Sequence, residues 1–411
     1  MRDALPPLEW KRRVAELAPW IVVFGIFLAH QFVWHGGLYL PSDDSYIYLG
    51  YVKMATQWPP SLFSYNVGEH SAGTTGSLYY YLLIPVCGIL HLVSFPFIKH
   101  STALVTGIYI TNAMMWFVAA SLFIGCWKRL TGRLQPLPFA TSLALCCLFC
   151  ANRWFMWGMF GGLENPLTVT LALLIVRLSL GRQPTWLMGS VCAAAVGSRP
   201  ELLPTVGMIA AGYGAIAFAG KGSPAARRFR GAASSLAAFS IVLFLIIFPC
   251  WVYTGRLFPS ALGSRLHLNV FTDFAGMRAM IVNGFLQMAA WKTGWLTALF
   301  VLLAVALYHA PAKRQWTILI ILLLLLVNFW VRATFGLFDF NVQDRYISWV
   351  WVLYALGIAV CMDPLLCFFY RSLARFYKLI PCVLLCVGAI IVAQFPFRRF
   401  LEEYRTDVRE M

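Results

Sequence analysis

The residues best suited to acid–base chemistry are two adjacent aspartates, Asp43 and Asp44, in the stretch 41–77. A partly desolvated carboxyl group beside a like charge has a raised pKa, and it can then accept a proton from an attacking hydroxyl. The pair could instead cap a helix, because a carboxylate at a helix start accepts hydrogen bonds from unpaired backbone N–H groups. An amphipathic run at 46–57 follows and predicts a helix in the membrane interface.

Two more acidic residues follow turn-forming sequences. Glu164 comes directly after a glycine pair and is expected to open a membrane-spanning helix, with helix capping as an equal alternative. Arg199 and Glu201 flank a proline in a predicted turn between two short spans. A purely structural pair of arginine and glutamate is the alternative there.

Cationic residues suited to phosphate binding follow a later apolar segment. Arg256, Arg265 and His267 lie just beyond it, and guanidinium groups bind phosphate oxygens through two parallel hydrogen bonds. Snorkelling at the membrane interface is an equal alternative for Arg256. Farther on, Asp344 and Tyr346 belong to a polar, aromatic stretch that is typical of a sugar-binding rim or of a solvated loop.

Composition assigns the chain to the polytopic helical membrane proteins. It has 411 residues, of which 60% are hydrophobic, and a mean hydropathy of +0.73. The net charge of +16 comes from short basic clusters between apolar segments, which is typical of topology signals and argues against nucleic-acid binding. The 11 cysteines fall in or beside apolar segments, so we interpret them as small core residues. Walker-type glycine loops, HExxH zinc motifs and GxSxG elbows are absent from the sequence.

The basic clusters predict a single membrane domain over 1–411, with a cytoplasmic N-terminus at 1–18 and about 11 spans. The predicted spans are 19–40, 102–127, 136–151, 163–180, 184–198, 200–219, 231–253, 287–309, 314–331, 346–369 and 377–395. The apolar segment 78–98 is interpreted as re-entrant or interfacial with broken helical backbone, because counting it as a span would invert every later loop. The tail at 396–411 is then expected outside the cytoplasm.

This topology places most of the acidic residues on the face away from the cytoplasm. The acids concerned are Asp43, Asp44, Glu69, Glu164, Glu201, Asp273, Asp339 and Asp344. An acid at membrane depth costs a few kcal/mol and is usually functional. We therefore expect a polar cavity on that face, lined by carboxylates and arginines.

Six sequence blocks, taken in order, resemble the GT-C superfamily of membrane glycosyltransferases, and most closely its bacterial polyprenyl-phosphate-dependent arabinofuranosyltransferases. The blocks are DDSYIYLGYVK at 43–53, SYNVGEHSAGTTGSL at 64–78, GGLENPL at 161–167, SRPE at 198–201, YTGRLFPSALGSR at 253–265 and DRYISWV at 344–350. The resemblance implies an all-α GT-C-like fold, with interfacial helices in a catalytic first extracytoplasmic loop at 41–77. The short tail, without a soluble C-terminal domain, resembles the transferases that decorate type IV pilins with arabinofuranose.

The resemblance also implies residue roles. The role of catalytic base corresponds to Asp43, with Asp44 as its neighbour. The role of binding the donor phosphate corresponds to Arg265, where many relatives have lysine. Ser260 stands where relatives often carry asparagine, so that sugar contact is missing from the pattern. Residues expected to assist at the donor phosphate are Arg256, Arg199, Arg345 and His267, and those expected near sugar or acceptor are Tyr46, Glu69, Glu164, Glu201, Asp344 and Tyr346.

The expected reaction is an inverting transfer of a sugar, arabinofuranose by resemblance, from a decaprenyl- or undecaprenyl-type monophosphate to a pilin or a cell-envelope glycan. The expected location is a bacterial inner membrane, with the active site facing the periplasm. The expectation includes no metal site and no required cofactor. A divalent cation stays open, with His70 beside Glu69 as the only candidate neighbour. A flippase or transporter of a lipid-linked sugar is the alternative, since it would use the same lipid, cavity and arginines.

Overall fold

The described part of this computed structural model is built almost entirely of helices. It comprises residues 7–35, 37–38, 40, 43–65, 70–71, 76–94, 97–133, 137, 139–150, 153–181, 183–217, 225–256, 348–361 and 363. The helices are α1 (Pro7–His35), α2 (Asp43–Thr56), α3 (Ser77–Ser94), α4 (His100–Thr131), α5 (Phe139–Cys150), α6 (Arg153–Phe160), α7 (Asn165–Ser179), α8 (Thr185–Ser198), α9 (Leu203–Ala217), α10 (Ala225–Thr254) and α11 (Ser348–Cys361). A 3-10 turn, Pro200–Leu202, joins α8 to α9.

Four of these helices are long and apolar enough to cross a membrane, which confirms the predicted class of all-α membrane protein. They contain the segments Glu16–Val33, Ser77–Ser94, His100–Thr131 and Phe229–Thr254. The predicted spans at 102–127, 163–180, 184–198 and 231–253 coincide closely with α4, α7, α8 and α10. The predicted spans 287–309, 314–331 and 377–395 lie outside the described residues, so the total of about 11 stays a prediction.

Helices α1 and α4 run antiparallel and are joined by aromatic side chains. Trp20 lies 5.7 Å from Trp116 between ring centroids, and Phe27 lies 6.2 Å from Tyr109. Glu16 at the start of this stretch forms an ion pair with Lys128 near the end of α4. Lipid tails are as apolar as these side chains, so close van der Waals packing, rather than the hydrophobic effect, stabilises such a helix pair in a membrane.

Helix α3 packs along only the first half of α4. Near its start, the Tyr79 hydroxyl donates to Asn112 Oδ1 at 2.8 Å, and near its end the ring of His91 lies 4.0 Å from that of His100. At 1.5 Å per residue, α4 continues for about 24 Å from Asn112 to Lys128, beyond the reach of α3.

The segment 78–98, predicted to be re-entrant or interfacial, forms a helix that is long and apolar enough to cross a membrane, so its incomplete crossing stays a prediction. If α1, α3 and α4 all crossed, the start of α1 and the end of α4 would lie on opposite faces. Instead, Glu16 and Lys128 are paired. One detail of the prediction is wrong: the backbone is a continuous helix of 18 residues, although Pro85 lies inside it.

The structure adds two local features to the predictions. One face of α2, the predicted interfacial helix, packs against α3 and α4, with Tyr51 and Val52 fully buried. The short helix α6 was not predicted, because its eight residues are too few to show a helical period. The seven cysteines whose side chains are described behave as expected: all are free thiols, and all but Cys147 are buried.

Candidate functional site

Four chain segments meet at the end of the bundle opposite Lys128. They are the first turns of α2, the residue before α3, the turn before α7 and the residues that end α8. We call the side chains and backbone groups that touch there the turn cluster. It consists of Ser45, Tyr48, Gly76, Gly161, Gly162, Glu164, Asn165, Ser198 and Arg199.

A buried ion pair forms the centre of the turn cluster. Arg199 Nη2 lies 2.8 Å from Glu164 Oε1, and the exposed fractions of the two side chains are 2% and 4%. The same Nη2 donates to Asn165 Oδ1 at 2.6 Å. Removing one partner of such a pair leaves an uncompensated buried charge, at a cost of about 3–5 kcal/mol.

Helix α2 is attached to this ion pair through Tyr48. Its hydroxyl donates to Glu164 Oε2 at 3.0 Å and accepts a hydrogen bond from the Gly76 backbone N–H at 2.9 Å. The Tyr48 ring also packs edge-on against Tyr79, with centroids 5.1 Å apart. One hydroxyl group therefore joins α2, the start of α3 and the start of α7.

Close backbone approach within the turn cluster requires glycine. Gly162 has a positive φ of 79°, and a Cβ atom there would lie 2.8 Å from Leu40 Cδ2. At Gly76 a Cβ atom would lie 2.9 Å from the Ser198 carbonyl oxygen. The Ser45 hydroxyl donates to the Gly161 carbonyl, which holds the first turn of α2 against this glycine pair.

Glu164 directly precedes α7, as predicted, but it does not cap that helix. Its side chain makes no capping hydrogen bond, and the carboxylate turns to Arg199 and Tyr48 instead. The Thr168 hydroxyl contacts the Glu164 carbonyl at 3.1 Å and Ser198 Oγ at 3.2 Å. The capping alternative for Glu164 is therefore wrong, and its carboxylate is instead part of an ion pair that was not predicted.

Asp43 and Asp44 are the first two residues of α2, as the sequence predicted for the start of this helix. The next residue, Ser45, is bonded to the turn cluster. Asp44 precedes Tyr48 by four positions, one helical turn, and so shares its register, whereas Asp43 does not. The side chains of both aspartates lie outside the described part of the structure.

No protein-family model, curated protein or solved structure matches this chain. The resemblance to GT-C glycosyltransferases therefore rests on the six sequence blocks and their order. The first four of those blocks contribute residues to the turn cluster: Ser45, Gly76, Glu164 and Arg199 come from one block each.

The described part of the fifth block, 253–256, contacts the first loop. The Tyr253 ring lies 6.1 Å from Phe63 and 5.7 Å from His70. Arg256, expected at the donor phosphate, is exposed just beyond α10, and its backbone N–H donates to Thr254 Oγ1 at 3.2 Å. The end of α10 thus lies beside the middle of the first loop.

The other predicted site residues fall into two groups. Tyr46 is 40% exposed on α2, away from the buried face that contains Tyr48, and Glu201 lies in the 3-10 turn with its side chain outside the described residues. Predicted residues wholly outside the described ranges are Glu69, Arg265, His267, Asp344, Arg345 and Tyr346.

Within the described ranges, no group of three or more histidine, cysteine, aspartate or glutamate residues is arranged to hold a metal ion. His70 Nδ1 lies 3.1 Å from Ser64 Oγ and 2.9 Å from the Leu62 carbonyl oxygen, so these contacts are local to the loop. Glu69, its expected companion, is outside those ranges.

Sequence reasoning missed Tyr48 and Asn165, although both lie inside quoted blocks. Tyr48 is polar only at its hydroxyl and lies in a run of aromatic and apolar residues, so it was interpreted as a packing residue. Asn165 follows Glu164, and the charged residue alone was selected as a candidate. The available signal was register: Ser45, Tyr48 and Val52 recur at spacings of three and four, and all three are buried.

Proposed function

We propose that the protein is an inverting glycosyltransferase of the GT-C type. It would transfer a sugar from a polyprenyl monophosphate to an acceptor on the membrane face opposite Lys128. The observation that carries this proposal is the turn cluster, because it attaches the helix that begins with Asp43 and Asp44 to the buried pair of Glu164 and Arg199. A carboxylate held on a rigid element is what proton abstraction requires.

The proposed step is a single displacement at the anomeric carbon. A carboxylate at the start of α2 takes the proton from the acceptor hydroxyl, whose oxygen forms the new bond to that carbon. The bond between the carbon and the phosphate oxygen breaks, and the phosphate leaves with the bonding electron pair. Arg265, assisted by Arg256, His267 and Arg345, would neutralise the negative charge that develops there.

We assign Arg199 a positioning role in place of the predicted contact with phosphate. Its guanidinium group is buried and already bonded to Glu164 and Asn165. Through Glu164 it also fixes Tyr48, and with it α2. Glu164 in turn would orient the acceptor hydroxyl or the base through this bonded network.

Two arguments point to different aspartates as the catalytic base. The family resemblance points to Asp43, whereas the register of α2 places Asp44 one turn before Tyr48. We propose that one of the two is the base, with the other as its charged neighbour.

The remaining parts of the proposal rest on the resemblance alone. They are arabinofuranose as the sugar, a pilin or an envelope glycan as the acceptor, and the bacterial inner membrane with a periplasmic site as the location.

The test is a transfer assay with purified protein, radiolabelled polyprenyl-phosphoarabinofuranose and candidate acceptors. Asp43→Asn and Asp44→Asn are compared with wild type and with Asp363→Asn, a matched control whose aspartate pairs with Arg133. We expect one of the first two variants to abolish transfer and the control to retain it. Full transfer by both would refute the assignment, and passage of labelled lipid across a liposome without transfer would establish the flippase alternative.

A further inference from the structure

At the end of the bundle marked by Lys128, two of the described cations are neutralised by acids. Lys128 pairs with Glu16, and Arg133 Nε lies 2.8 Å from Asp363 Oδ1. Arg129 and Arg177 differ from them, because no carboxylate of a described residue lies within 4.0 Å of either guanidinium group. We call Arg129 and Arg177 the arginine pair.

The arginine pair bridges two helices in a reciprocal arrangement. Arg177 on α7 crosses to α4, where its Nη1 donates to the Gly125 carbonyl at 3.3 Å. Arg129 on α4 crosses to the end of α7, where its Nη1 lies 3.2 Å from the position of a Cβ atom at Gly181. Each arginine is four residues from the glycine that its partner approaches, and the two positive charges are near enough to act on each other.

The loop after α7 adds a third donor and is held in place. Gln183 Nε2 lies 3.3 Å from that same Cβ position at Gly181, beside Arg129. The Tyr213 hydroxyl lies within 3.5 Å of the carbonyl oxygens of Leu178, Gly181 and Gln183. Carbonyl oxygens carry partial negative charge and would repel an anion. The Tyr213 hydroxyl lies where these three oxygens converge and so occupies the side of the loop from which they would repel it.

Two like charges this close repel each other, and partial burial of Arg177 strengthens the repulsion. The last turn of a helix attracts cations through the helix dipole, and basic loops orient membrane proteins. Those effects account for the sign of the charge. They do not account for two arginines that each reach towards the other's helix, where their mutual repulsion opposes the arrangement and a bound anion would relieve it.

We infer that the arginine pair, with Gln183, binds a phosphate oxyanion, and that its source is the head group of an anionic lipid in the leaflet at the Lys128 end. Guanidinium groups match phosphate oxygens in geometry and charge. Basic pockets between membrane helices are known sites for acidic lipid head groups. Free inorganic phosphate offers the same oxyanion chemistry without the acyl chains.

The experiment uses the full chain purified in a neutral detergent. Binding of short-chain phosphatidylglycerol is measured by the rise in thermal unfolding temperature, with short-chain phosphatidylcholine and inorganic phosphate as the comparison ligands. The variants are Arg129→Gln and Arg177→Gln. Arg230→Gln is the matched control, because it removes one exposed positive charge from α10. Arg177→Lys keeps the charge and serves as a second variant if the glutamine substitution prevents folding.

We expect phosphatidylglycerol to stabilise the wild type and the Arg230→Gln control, and phosphatidylcholine to do so far less. Each glutamine variant of the arginine pair should weaken phosphatidylglycerol binding about tenfold, in line with the loss of one charge-assisted hydrogen bond. Arg177→Lys should restore part of the affinity.

Stabilisation by inorganic phosphate, lost in the same variants, would keep the oxyanion site and reassign its source to a soluble anion. Equal weakening in Arg230→Gln would overturn the inference, since attraction would then be a diffuse property of the basic loops. No difference between the two lipids in the wild type would overturn it as well.

Discussion

Two ion pairs, Glu16 with Lys128 and Glu164 with Arg199, lie far apart in the bundle and differ in what they hold together. The Glu16 carboxylate also accepts the backbone N–H of Leu137, so it connects α1 to the end of α4 and to the chain entering α5. The Glu164 carboxylate connects α7 to the end of α8 and, through Tyr48, to the loop helix α2.

The two pairs also differ in contact with solvent. The Lys128 and Glu16 side chains are 19% and 10% exposed, whereas those of Arg199 and Glu164 are 2% and 4% exposed. Greater burial makes an unpaired charge more costly. The comparison teaches that the same kind of ion pair joins adjacent helices at one position and holds the loop helix α2 at the other.

The strongest test of this difference replaces the positively charged residue of each ion pair by alanine. Arg199→Ala leaves Glu164 buried without its partner and should lower the free energy of unfolding by about 3–5 kcal/mol. Lys128→Ala should cost about 1–2 kcal/mol, because Glu16 keeps the Leu137 N–H and gains partial hydration. Thermal or chemical unfolding in detergent measures both, and equal losses would contradict the comparison.

A smaller effect is expected when backbone freedom is removed from the turn cluster. Gly162→Ala places a Cβ atom 2.8 Å from Leu40 at a positive φ, and it should destabilise the protein by about 1–3 kcal/mol. Gly207→Ala is the matched control, since its Cβ atom meets nothing within 4 Å. In a helix interior that control should be neutral or should stabilise by up to about 1 kcal/mol. The unfolding temperatures of the two variants distinguish the outcomes, and a neutral Gly162→Ala would argue against the described turn.

The smallest change in stability, about 1–2 kcal/mol, is expected for Tyr48→Phe, which removes a hydroxyl that bonds Glu164 and Gly76. Tyr213→Phe removes a hydroxyl near the opposite end and should cost a similar amount. The transfer rates of the two variants should differ: Tyr48→Phe should lower the rate, and Tyr213→Phe should leave it unchanged. Identical rates in both variants would mean that the turn cluster only supports the fold.

Local features of this chain could be predicted from the sequence. Long apolar runs between basic clusters located α4 and α10, which are long enough to span a membrane, and also α7 and α8, which at 15 and 14 residues are shorter than a span requires. These positions could be predicted because hydrophobicity and positive charge are encoded in consecutive residues. The start of α2 at Asp43 and the position of Glu164 before α7 followed from neighbouring turn and capping residues.

The contacts between distant segments could not be predicted in this way. Glu164 and Arg199 are separated by the whole of α7 and α8, and only the lengths of those helices bring their turns to one level. For the same reason, the sequence left helix capping open as an alternative for Glu164, and it did not indicate Arg199 as the partner. The burial of Tyr51 and Val52 depended on where α3 lies, which no residue of α2 encodes.

The length of α4 sets the depth of the proposed chemistry. Tyr79 joins the turn cluster, through Tyr48, to Asn112 on α4. Asn112 is about 24 Å along the helix from Lys128, which is less than the roughly 30 Å thickness of the hydrocarbon core. With Lys128 at one boundary of that core, the turn cluster lies below the opposite surface, and helix tilt would place it deeper. If the protein has the proposed function, an acceptor hydroxyl on a broad folded surface would be stopped at the head groups, and the acceptor would have to offer its hydroxyl on a slender, mobile segment that reaches down into the protein.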